Sequence, residues 1–265
     1  MDGDANRALT GAEQDVVEGA RMVASVGKTV IHPGGRTTTD FLFQAGRFEP
    51  DHEVLEVGCG VGTTAIRLAT EKGCRVSAID IDPTLVDRAR RNVSQAGRAH
   101  QVRVQQGDAL SLPFDDATFD RVIVEAVLMF VDRPKALEEI ARVSRPGALI
   151  LDHEVATPDA TSDDIRRTVF EGMGRVALDS VETWKNLYRS AGFDILETRA
   201  EPMAMSSPKF LIRDEGIAGA SRMIVRLLTS PSKLRRMTRY MRAASRAEPH
   251  LQAMVVVAGK RATRS

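Results

Sequence analysis

The feature that most constrains this chain is a glycine-rich turn that directly follows a strand-like run. Residues 53–58 read EVLEVG, and the chain continues with CGVGT at 59–63. Glycines at a strand-to-helix turn let the backbone approach a ligand closely and present the N–H groups of a helix N-terminus. The turn therefore predicts an open α/β sheet that binds a ligand at the carboxyl end of its first strand.

The sequence after this turn alternates strand and helix patterns as far as residue 155. One helix is expected to begin at Asp82-Pro83, because aspartate is a good N-cap and proline suits the first helical position. A later helix is expected to begin at a capping box formed by Asp179 and Glu182. Strands that alternate with helices predict parallel pairing, with helices on both faces of the sheet.

Two segments do not fit this repeating unit. Residues 1–50 are interpreted as an N-terminal helical cap, and 203–248 as a basic helical insertion that covers the substrate site. The ligand-binding domain is then expected to comprise 51–202 and 249–265, with the last two strands at its end.

The spacing of the glycines favours one class of cofactor over another. A dinucleotide site needs G-x-G-x-x-G, which would require glycine where Thr63 stands. The pattern here is E-x-G-x-G-x-G, beginning at Glu56. The second strand ends at Asp80, where a carboxylate is placed to accept hydrogen bonds from both hydroxyls of a ribose. Asp82 competes for that role, although the N-cap is its better use.

The third strand ends in a further acid-bearing loop. There Asp108 is placed to accept a hydrogen bond from an adenine amino group, while the N–H of Ala109 reaches a ring nitrogen. A single aspartate after a strand is usually only a turn former. Three such loops after consecutive strands point to a nucleoside, because ligands of doubly wound sheets bind at these carboxyl ends.

Four segments carry a family resemblance: VLEVGCGVG, AIDID, QGDALSLPFDDATFDRVIV and LEEIARVSRPGALIL. They resemble the successive motifs of class I S-adenosylmethionine-dependent methyltransferases, most closely the branch of the UbiE-type quinone C-methyltransferases and many small-molecule enzymes. The resemblance covers about 53–155, and more loosely the order of elements through 260. It implies a Rossmann-like, seven-stranded, mostly parallel sheet whose last strand, 252–260, is antiparallel.

The resemblance also implies the cofactor and its contacts. The cofactor would be S-adenosylmethionine, with S-adenosylhomocysteine as product and no metal. The implied cofactor-binding residues are Glu56, Gly58, Cys59, Gly60, Gly62, Asp80, Ile81, Asp108, Ala109 and Glu125, the last beside the methionine moiety.

Three residues are candidates for acting on the methyl acceptor. A general base is needed only if the acceptor must lose a proton. His153 and Glu154 follow the fifth strand, and His32 lies in a segment, IHPGG, whose turn could hold it over the sulfonium. We expect His153 or His32 to serve as base or acceptor clamp. A hydrogen-bonded structural role is the alternative for either histidine.

Composition sets aside several functional classes. A net charge of +1 over 265 residues gives no field that favours nucleic acid. The five histidines are scattered without metal-ligand spacing, and no carboxylate-rich cluster suggests cation-dependent O-methylation. Methyltransferases that act on amino groups of nucleic acids or glutamine carry an N/D-P-P-Y sequence after the fourth strand, and this chain has none there. Two cysteines and a leaderless N-terminal pattern predict a reducing, cytoplasmic location.

The segment 216–247 is unusually basic, with eight lysines and arginines and no acidic residue. Apolar residues recur among them at helical spacing on both sides of Pro231. A basic amphipathic hairpin is typical of a surface for anionic lipid, or of a gate for an amphiphilic substrate. An ordinary solvated helix face is the alternative. A nucleic-acid surface fits less well, because Tyr240 is the single aromatic residue in this segment and bases bind by stacking on aromatic side chains.

Together these patterns predict a methyltransferase acting on a small hydrophobic or amphiphilic acceptor, quinone-like or lipid-like. Two alternatives stay open: an enzyme that methylates RNA or protein, and a protein that binds the cofactor without catalysis. The fold hosts many acceptors, so the sequence names neither the acceptor nor its reacting atom.

Overall fold

A computed structural model describes the chain at residues 11–30, 32, 34–158, 162, 164, 178–203 and 208–262. The strands are β1 (Glu53–Val57), β2 (Arg75–Asp80), β3 (Val102–Gln106), β4 (Phe119–Glu125), β5 (Ser144–Ala156), β6 (Phe193–Pro202) and β7 (Gln252–Lys260). The helices are α1 (Gly11–Ser25), α2 (Gly35–Ala45), α3 (Thr63–Arg67), α4 (Pro83–Gln95), α5 (Arg133–Val143), α6 (Val181–Ser190), α7 (Pro208–Leu228) and α8 (Pro231–Ala247).

The strands form one seven-stranded sheet in the order β3-β2-β1-β4-β5-β7-β6. The first five strands along the chain pair in parallel, and β7 pairs antiparallel with both β5 and β6. The predicted mostly parallel sheet with an antiparallel last strand is therefore confirmed. The strand order reverses between β1 and β4, and this is where doubly wound sheets bind their ligands.

Alternating side chains of the strands build a separate apolar core on each face of the sheet. Leu55 and Val122 belong to the core that contains the buried Trp184. Their sequence neighbours Val54 and Ile123 belong to the other core, beneath α2. This two-sided burial follows from the period of two along a strand and explains why the central strands are almost entirely apolar.

Of the two predicted helix starts, one is confirmed and the other is wrong. Asp82 caps α4 as expected, accepting a hydrogen bond from the N–H of Thr84 at 2.9 Å. The predicted capping box at α6 is wrong. Ser180 is the N-cap, and its hydroxyl accepts from the N–H of Thr183 at 3.2 Å. Asp179 pairs with Arg133 instead, one position outside the cap.

The segments outside the repeating unit are helical where they are described. Helices α1 and α2 precede β1, while α7 and α8 form a hairpin between β6 and β7. Gly216 breaks α7 with non-helical backbone angles (φ 68°, ψ 169°). Parts of both predicted caps, 1–10 and 204–207, lie outside the described residues. None of the described helices is long and apolar enough to cross a membrane.

Candidate functional site

A cavity opens at the carboxyl ends of β1 to β4, under α1 and the loop that leads into α2. Nine of the ten predicted cofactor-binding residues lie in its wall: Glu56, Gly58, Cys59, Gly60, Asp80, Ile81, Asp108, Ala109 and Glu125. Residues that follow four different strands thus meet at one edge of the sheet, as the parallel topology requires.

The glycine loop is fixed to its neighbours by backbone contacts. The N–H groups of Gly58 and Cys59 both donate to the carbonyl of Ile79 at 2.8 Å. Gly58 has a positive φ of 75°, and a Cβ there would collide with the side chain of Val127. Gly62 lies behind the cavity wall: a Cβ there would stand 3.2 Å from Ala89 of α4. This glycine therefore allows the turn and the packing of α4.

Asp80 is buried and points into the cavity from the end of β2. Its Oδ2 accepts from the N–H of Gly60 at 2.8 Å, and its Oδ1 accepts from the N–H of Asp82 at 2.9 Å. Burial raises the pKa of Asp80 to about 6. A carboxylate has about four lone-pair positions, so these two bonds leave acceptor capacity for a ligand hydroxyl.

Asp82, the competing ribose candidate, is fully engaged elsewhere. Besides capping α4, it accepts two hydrogen bonds from Arg21 of α1, at 2.6 and 2.7 Å. This bidentate pair fastens α1 over the cavity. On the neighbouring loop, Asp108 accepts from the N–H of Leu110 at 2.9 Å, and its side chain is buried beside Ala109.

Two glutamates make the centre of the cavity acidic. Burial raises the pKa of Glu56 well above its usual value, and the nearby charge of Glu125 raises it further. Glu56 Oε2 has no hydrogen-bond partner among the described residues. Glu125 is held by two hydroxyls: Thr64 donates to its Oε1 at 2.8 Å and Thr39 to its Oε2 at 2.7 Å.

His32 lies against Glu125 at the far end of the cavity. Its Nε2 is 3.2 Å from Glu125 Oε2 and 3.2 Å from the Thr39 hydroxyl. Arg36 of α2 and the apolar residues Val127 and Phe130 also line the cavity. The predicted acceptor clamp is therefore placed beside the predicted methionine contact.

The loop that carries His32 is anchored to α7 by two carboxylates. Glu215 accepts from the N–H and the hydroxyl of Thr29, at 2.7 and 2.8 Å, and from the N–H of Val30 at 3.2 Å. Asp214 accepts from the N–H of Arg36 at 3.1 Å. The predicted helical insertion thus holds the wall of the cavity near His32.

His153 stands behind this end of the cavity and is completely buried. It pairs in register with Glu125 on the neighbouring strand, so both side chains lie on one face of the sheet. Its ring centroid is 5.5 Å from that of His32. Burial, followed by the nearby charge of His32, lowers the pKa of His153 well below its usual value. The neutral ring has no hydrogen-bond partner at either nitrogen among the described residues.

Glu154 requires a correction as a catalytic candidate. It follows His153 and therefore points to the opposite face of the sheet. There it accepts from the backbone N–H groups of Val127, Leu128 and Met129 at 2.9, 2.6 and 3.2 Å. Burial raises its pKa to about 7. Its position makes it an anchor for the turn after β4, one side of which lines the cavity.

Several known proteins resemble this chain in sequence or in fold. A family model described as a methyltransferase domain matches residues 55–151. An uncharacterized Haemophilus influenzae protein is 37% identical over 78% of this chain and 84% of its own length. The 27-O-demethylrifamycin SV methyltransferase of Amycolatopsis mediterranei is 33% identical, covering 53% of each chain. The structure of phosphoethanolamine N-methyltransferase 2 from Haemonchus contortus with S-adenosyl-L-methionine gives a TM-score of 0.76 at 18% identity, over 96% of this chain and 61% of that one.

This chain belongs to the class I S-adenosylmethionine-dependent methyltransferases. The methyltransferase spans about half the length of the rifamycin enzyme. Its cavity fits the cofactor by charge, because S-adenosylmethionine carries a sulfonium and an ammonium group. The nearby charge of Glu125 raises the cost of ionising the buried carboxyl of Glu56, and a cationic ligand beside the two groups relieves this repulsion. The resemblance to the UbiE-type branch stays a prediction.

The sequence did not reveal several residues of the methyltransferase site. Thr39 and Thr64 carry no motif, and their role depends on contacts across 86 and 61 residues of chain. Glu215 contacts Thr29 across 186 residues. The one available clue was that Glu215 directly precedes the basic stretch 216–247, which contains no acidic residue.

Proposed function

We propose that this methyltransferase methylates a small amphiphilic acceptor, quinone-like or lipid-like, bound at the His32 end of the cavity. The observation that carries the proposal is the continuity of that cavity. It runs from the glycine loop to His32 and Glu125, and its wall includes the apolar residues Val127, Phe130 and Val131. An apolar body with one polar reacting atom matches such a wall with two polar groups at its end.

The residues contribute mainly by positioning. S-adenosylmethionine, when bound, supplies an electrophilic methyl group whose bond to sulfur breaks as the acceptor's bond to carbon forms. Alignment of two reactants in a dry site can supply roughly 7–11 kcal/mol. His32 and Glu125 hold the polar atom of the acceptor, while α1 and the loop before α2 exclude water. The cofactor contacts proposed for Glu56, Asp80, Asp108 and Ala109 fix the donor.

The surface of α8 supports an amphiphilic acceptor and peripheral contact with anionic lipid. Four arginines one or two turns apart lie on one face of this helix and line a shallow groove: Arg235, Arg239, Arg242 and Arg246. None of these four pairs with a carboxylate within the described part of the chain. Exposed Ile217, Ile224 and Leu228 lie on the adjoining α7. Basic groups beside exposed apolar groups match an anionic membrane surface.

Labelled methyl transfer from S-adenosylmethionine into a host-cell extract tests the proposal. We expect label in the organic fraction after partition. We also expect His32→Ala to lower that incorporation by about tenfold or more with little change in S-adenosylhomocysteine affinity. The matched control is His100→Ala, an exposed histidine outside the cavity. Label confined to RNA or protein would contradict the acceptor class and favour a macromolecular substrate. Such an activity should weaken steeply with salt if phosphate contacts hold the substrate.

The two cysteines are consistent with the cytoplasmic location included in this proposal. Both Cys59 and Cys74 are free and buried. Burial raises the pKa of Cys74 to about 11 and that of Cys59 well above its usual value, so both stay thiols. Buried thiols of this kind are common in a reducing compartment.

A further inference from the structure

Two histidines and a glutamate meet at the acceptor end of the cavity although they come from distant parts of the chain. His32 lies in the loop before α2, Glu125 ends β4, and His153 lies in β5. One ligating atom from each lies within 4.8 Å of the other two. The histidine spacing in the sequence showed no such group, because the fold and not the local sequence brings these residues together.

The unusual member of this cluster is His153. Its side chain is completely buried, and neither ring nitrogen has a hydrogen-bond partner among the described residues. Buried polar atoms are nearly always satisfied, and an exception needs an explanation such as an ion. A Cβ on Gly34 would lie 3.3 Å from His153 Nε2, so this nitrogen faces the loop that carries His32.

The carboxylate of Glu125 is already held in a fixed orientation, as the side chains of metal ligands are. Hydroxyls from Thr64 and Thr39 fix both carboxylate oxygens, at 2.8 and 2.7 Å. His32 Nε2 stands 3.2 Å from the oxygen that Thr39 contacts. Outer-shell hydrogen bonds of this type orient metal ligands and raise their affinity for the ion.

We propose that His32, Glu125 and His153 bind a divalent transition-metal ion of the zinc class, whose open position takes an oxygen of the acceptor. This inference rests on the proposed function and names how the acceptor is held. Two imidazoles and one carboxylate are a known ligand set for catalytic zinc and related ions, with the remaining position left for water or substrate. It differs from the carboxylate-rich magnesium sites that the sequence excludes.

The geometry needs only a small closure to hold an ion. Nitrogen and oxygen ligands lie about 2.0–2.2 Å from zinc, so ligand atoms around one ion stand roughly 3–4 Å apart. The present separations of up to 4.8 Å exceed this range by about an ångström. Glu125 and His153 lie on adjacent strands, and His32 Nε2 already stands 3.2 Å from Glu125 Oε2, within this range.

The ion would prepare the acceptor for methylation without any redox change. A hydroxyl loses its proton more readily on binding a divalent ion, as zinc-bound water does, and the proton leaves to solvent as the acceptor enters, before water is excluded. The oxygen then forms its bond to the methyl carbon as the bond between carbon and sulfur breaks, and the sulfur keeps the electron pair. The ion releases the methylated oxygen, which is a weaker ligand because it is neutral.

Equilibrium dialysis of the untagged full chain against Zn²⁺, with metal analysis, tests the site directly. We expect about one tightly bound ion per chain. We expect a rise in Kd of about tenfold or more in each of His32→Ala, Glu125→Gln and His153→Gln. His100→Ala should bind as the wild type does. Co²⁺ in place of Zn²⁺ should give a ligand-field absorption that the three variants lose.

Two outcomes would overturn the site: no stoichiometric uptake by the wild type, or uptake that all three variants retain. His153→Gln changes a buried position, so His32→Ala and Glu125→Gln keep the test decisive if that variant does not fold. S-adenosylhomocysteine affinity, measured on the same samples, separates the two proposals. Normal cofactor binding and methyl transfer without zinc uptake would overturn the metal site alone. If the zinc-loaded wild type transferred no methyl group to any acceptor, the proposed function itself would be contradicted.

Discussion

The two ends of the cavity are built in different ways. At the cofactor end, the contacts join neighbouring strand ends, such as Gly60 and Asp80, which are 20 residues apart. At the acceptor end, one carboxylate of α7 holds a loop 186 residues away, through Glu215 and Thr29. The first end is fixed by the sheet itself, whereas the second depends on a few side chains from separate segments.

This difference teaches where donor and acceptor specificity should reside. Backbone hydrogen bonds and glycine packing leave the cofactor end little freedom, because core packing tolerates few changes. In the loop before α2, Thr29 and Val30 are held instead by the side chain of Glu215 on α7. Substitutions at the first end should therefore impair cofactor binding, and substitutions at the second should affect the acceptor while sparing the cofactor.

Gly58→Ala should produce the largest effect. The new Cβ would collide with Val127, and the backbone there has a φ of 75° that alanine disfavours. We expect a destabilisation of about 3 kcal/mol. The rearranged loop should also lower the affinity for S-adenosylhomocysteine by about 100-fold. Urea unfolding and isothermal titration calorimetry measure the two quantities.

Gly147→Ala is the matched control for this prediction. Gly147 also has a positive φ, of 80°, but a Cβ there meets nothing within 4 Å. It should cost about 1 kcal/mol of backbone strain and leave cofactor affinity unchanged. Equal loss of affinity in both variants would show that backbone strain alone, and not the contact with Val127, controls the loop.

Asp80→Asn should come next. A hydrogen bond to a charged acceptor contributes about 1.5–3 kcal/mol, so cofactor affinity should fall by about tenfold or more. Burial raises the pKa of Asp80 to about 6, so the carboxylate becomes protonated, and a weaker acceptor, as pH falls through that value. Wild-type affinity should therefore decrease below about pH 6.

The asparagine variant supplies the comparison for this pH dependence. It has no proton to gain, so its affinity should stay nearly level over the same range. A parallel decline in both proteins would assign the titration to another group and refute the ribose role of Asp80.

The sequence was sufficient to predict most of the sheet and to identify residues that line one cavity at its edge. The second strand ends at Asp80 and the last strand spans 252–260 as predicted, and Asp82 caps α4 as expected. These features depend on local properties: the period of two in a strand, the N-cap preference of aspartate, and the positive φ of glycine. Residues that follow consecutive strands must also meet at one edge of a parallel sheet.

The acceptor end could not be predicted in the same way. The sequence places Glu154 beside His153, but the alternation of a strand sends the two side chains to opposite faces. The pairing of His153 with Glu125 depends on strand register, and the anchor from Glu215 to Thr29 depends on how α7 packs. No local sequence pattern signals either contact, because both arise from tertiary packing.

Glu215→Gln should have a moderate effect that is confined to the acceptor end. The amide loses the charge that accepts hydrogen bonds from Thr29 and Val30. We expect about 1–2 kcal/mol less stability and roughly tenfold faster hydrogen exchange at the Thr29 and Val30 amides. Cofactor affinity should change by less than about threefold. Exchange measured by NMR or mass spectrometry checks this directly.

Glu138→Gln, an exposed position on α5, is the control for the loss of one negative charge. It should leave both exchange and stability unchanged within about 0.5 kcal/mol. A large loss of cofactor affinity in Glu215→Gln would break the comparison, because it would show that the loop before α2 also controls the donor.

The double variant Arg239→Gln, Arg242→Gln should have the smallest effect on the folded protein. Both side chains are exposed on the groove face of α8, so stability and cofactor affinity should stay within about 0.5 kcal/mol of the wild type. Binding to vesicles that contain phosphatidylserine should nevertheless weaken by roughly 30-fold, because each of the two arginines near an anionic bilayer contributes about 1 kcal/mol. The exposed pair Arg90→Gln, Arg91→Gln on α4 removes the same charge elsewhere and should bind vesicles as the wild type does.

Equal weakening of vesicle binding in both double variants would indicate that net charge alone attracts the protein to lipid. Loss confined to the α8 pair would extend the acceptor end of the cavity outward to a lipid-facing surface.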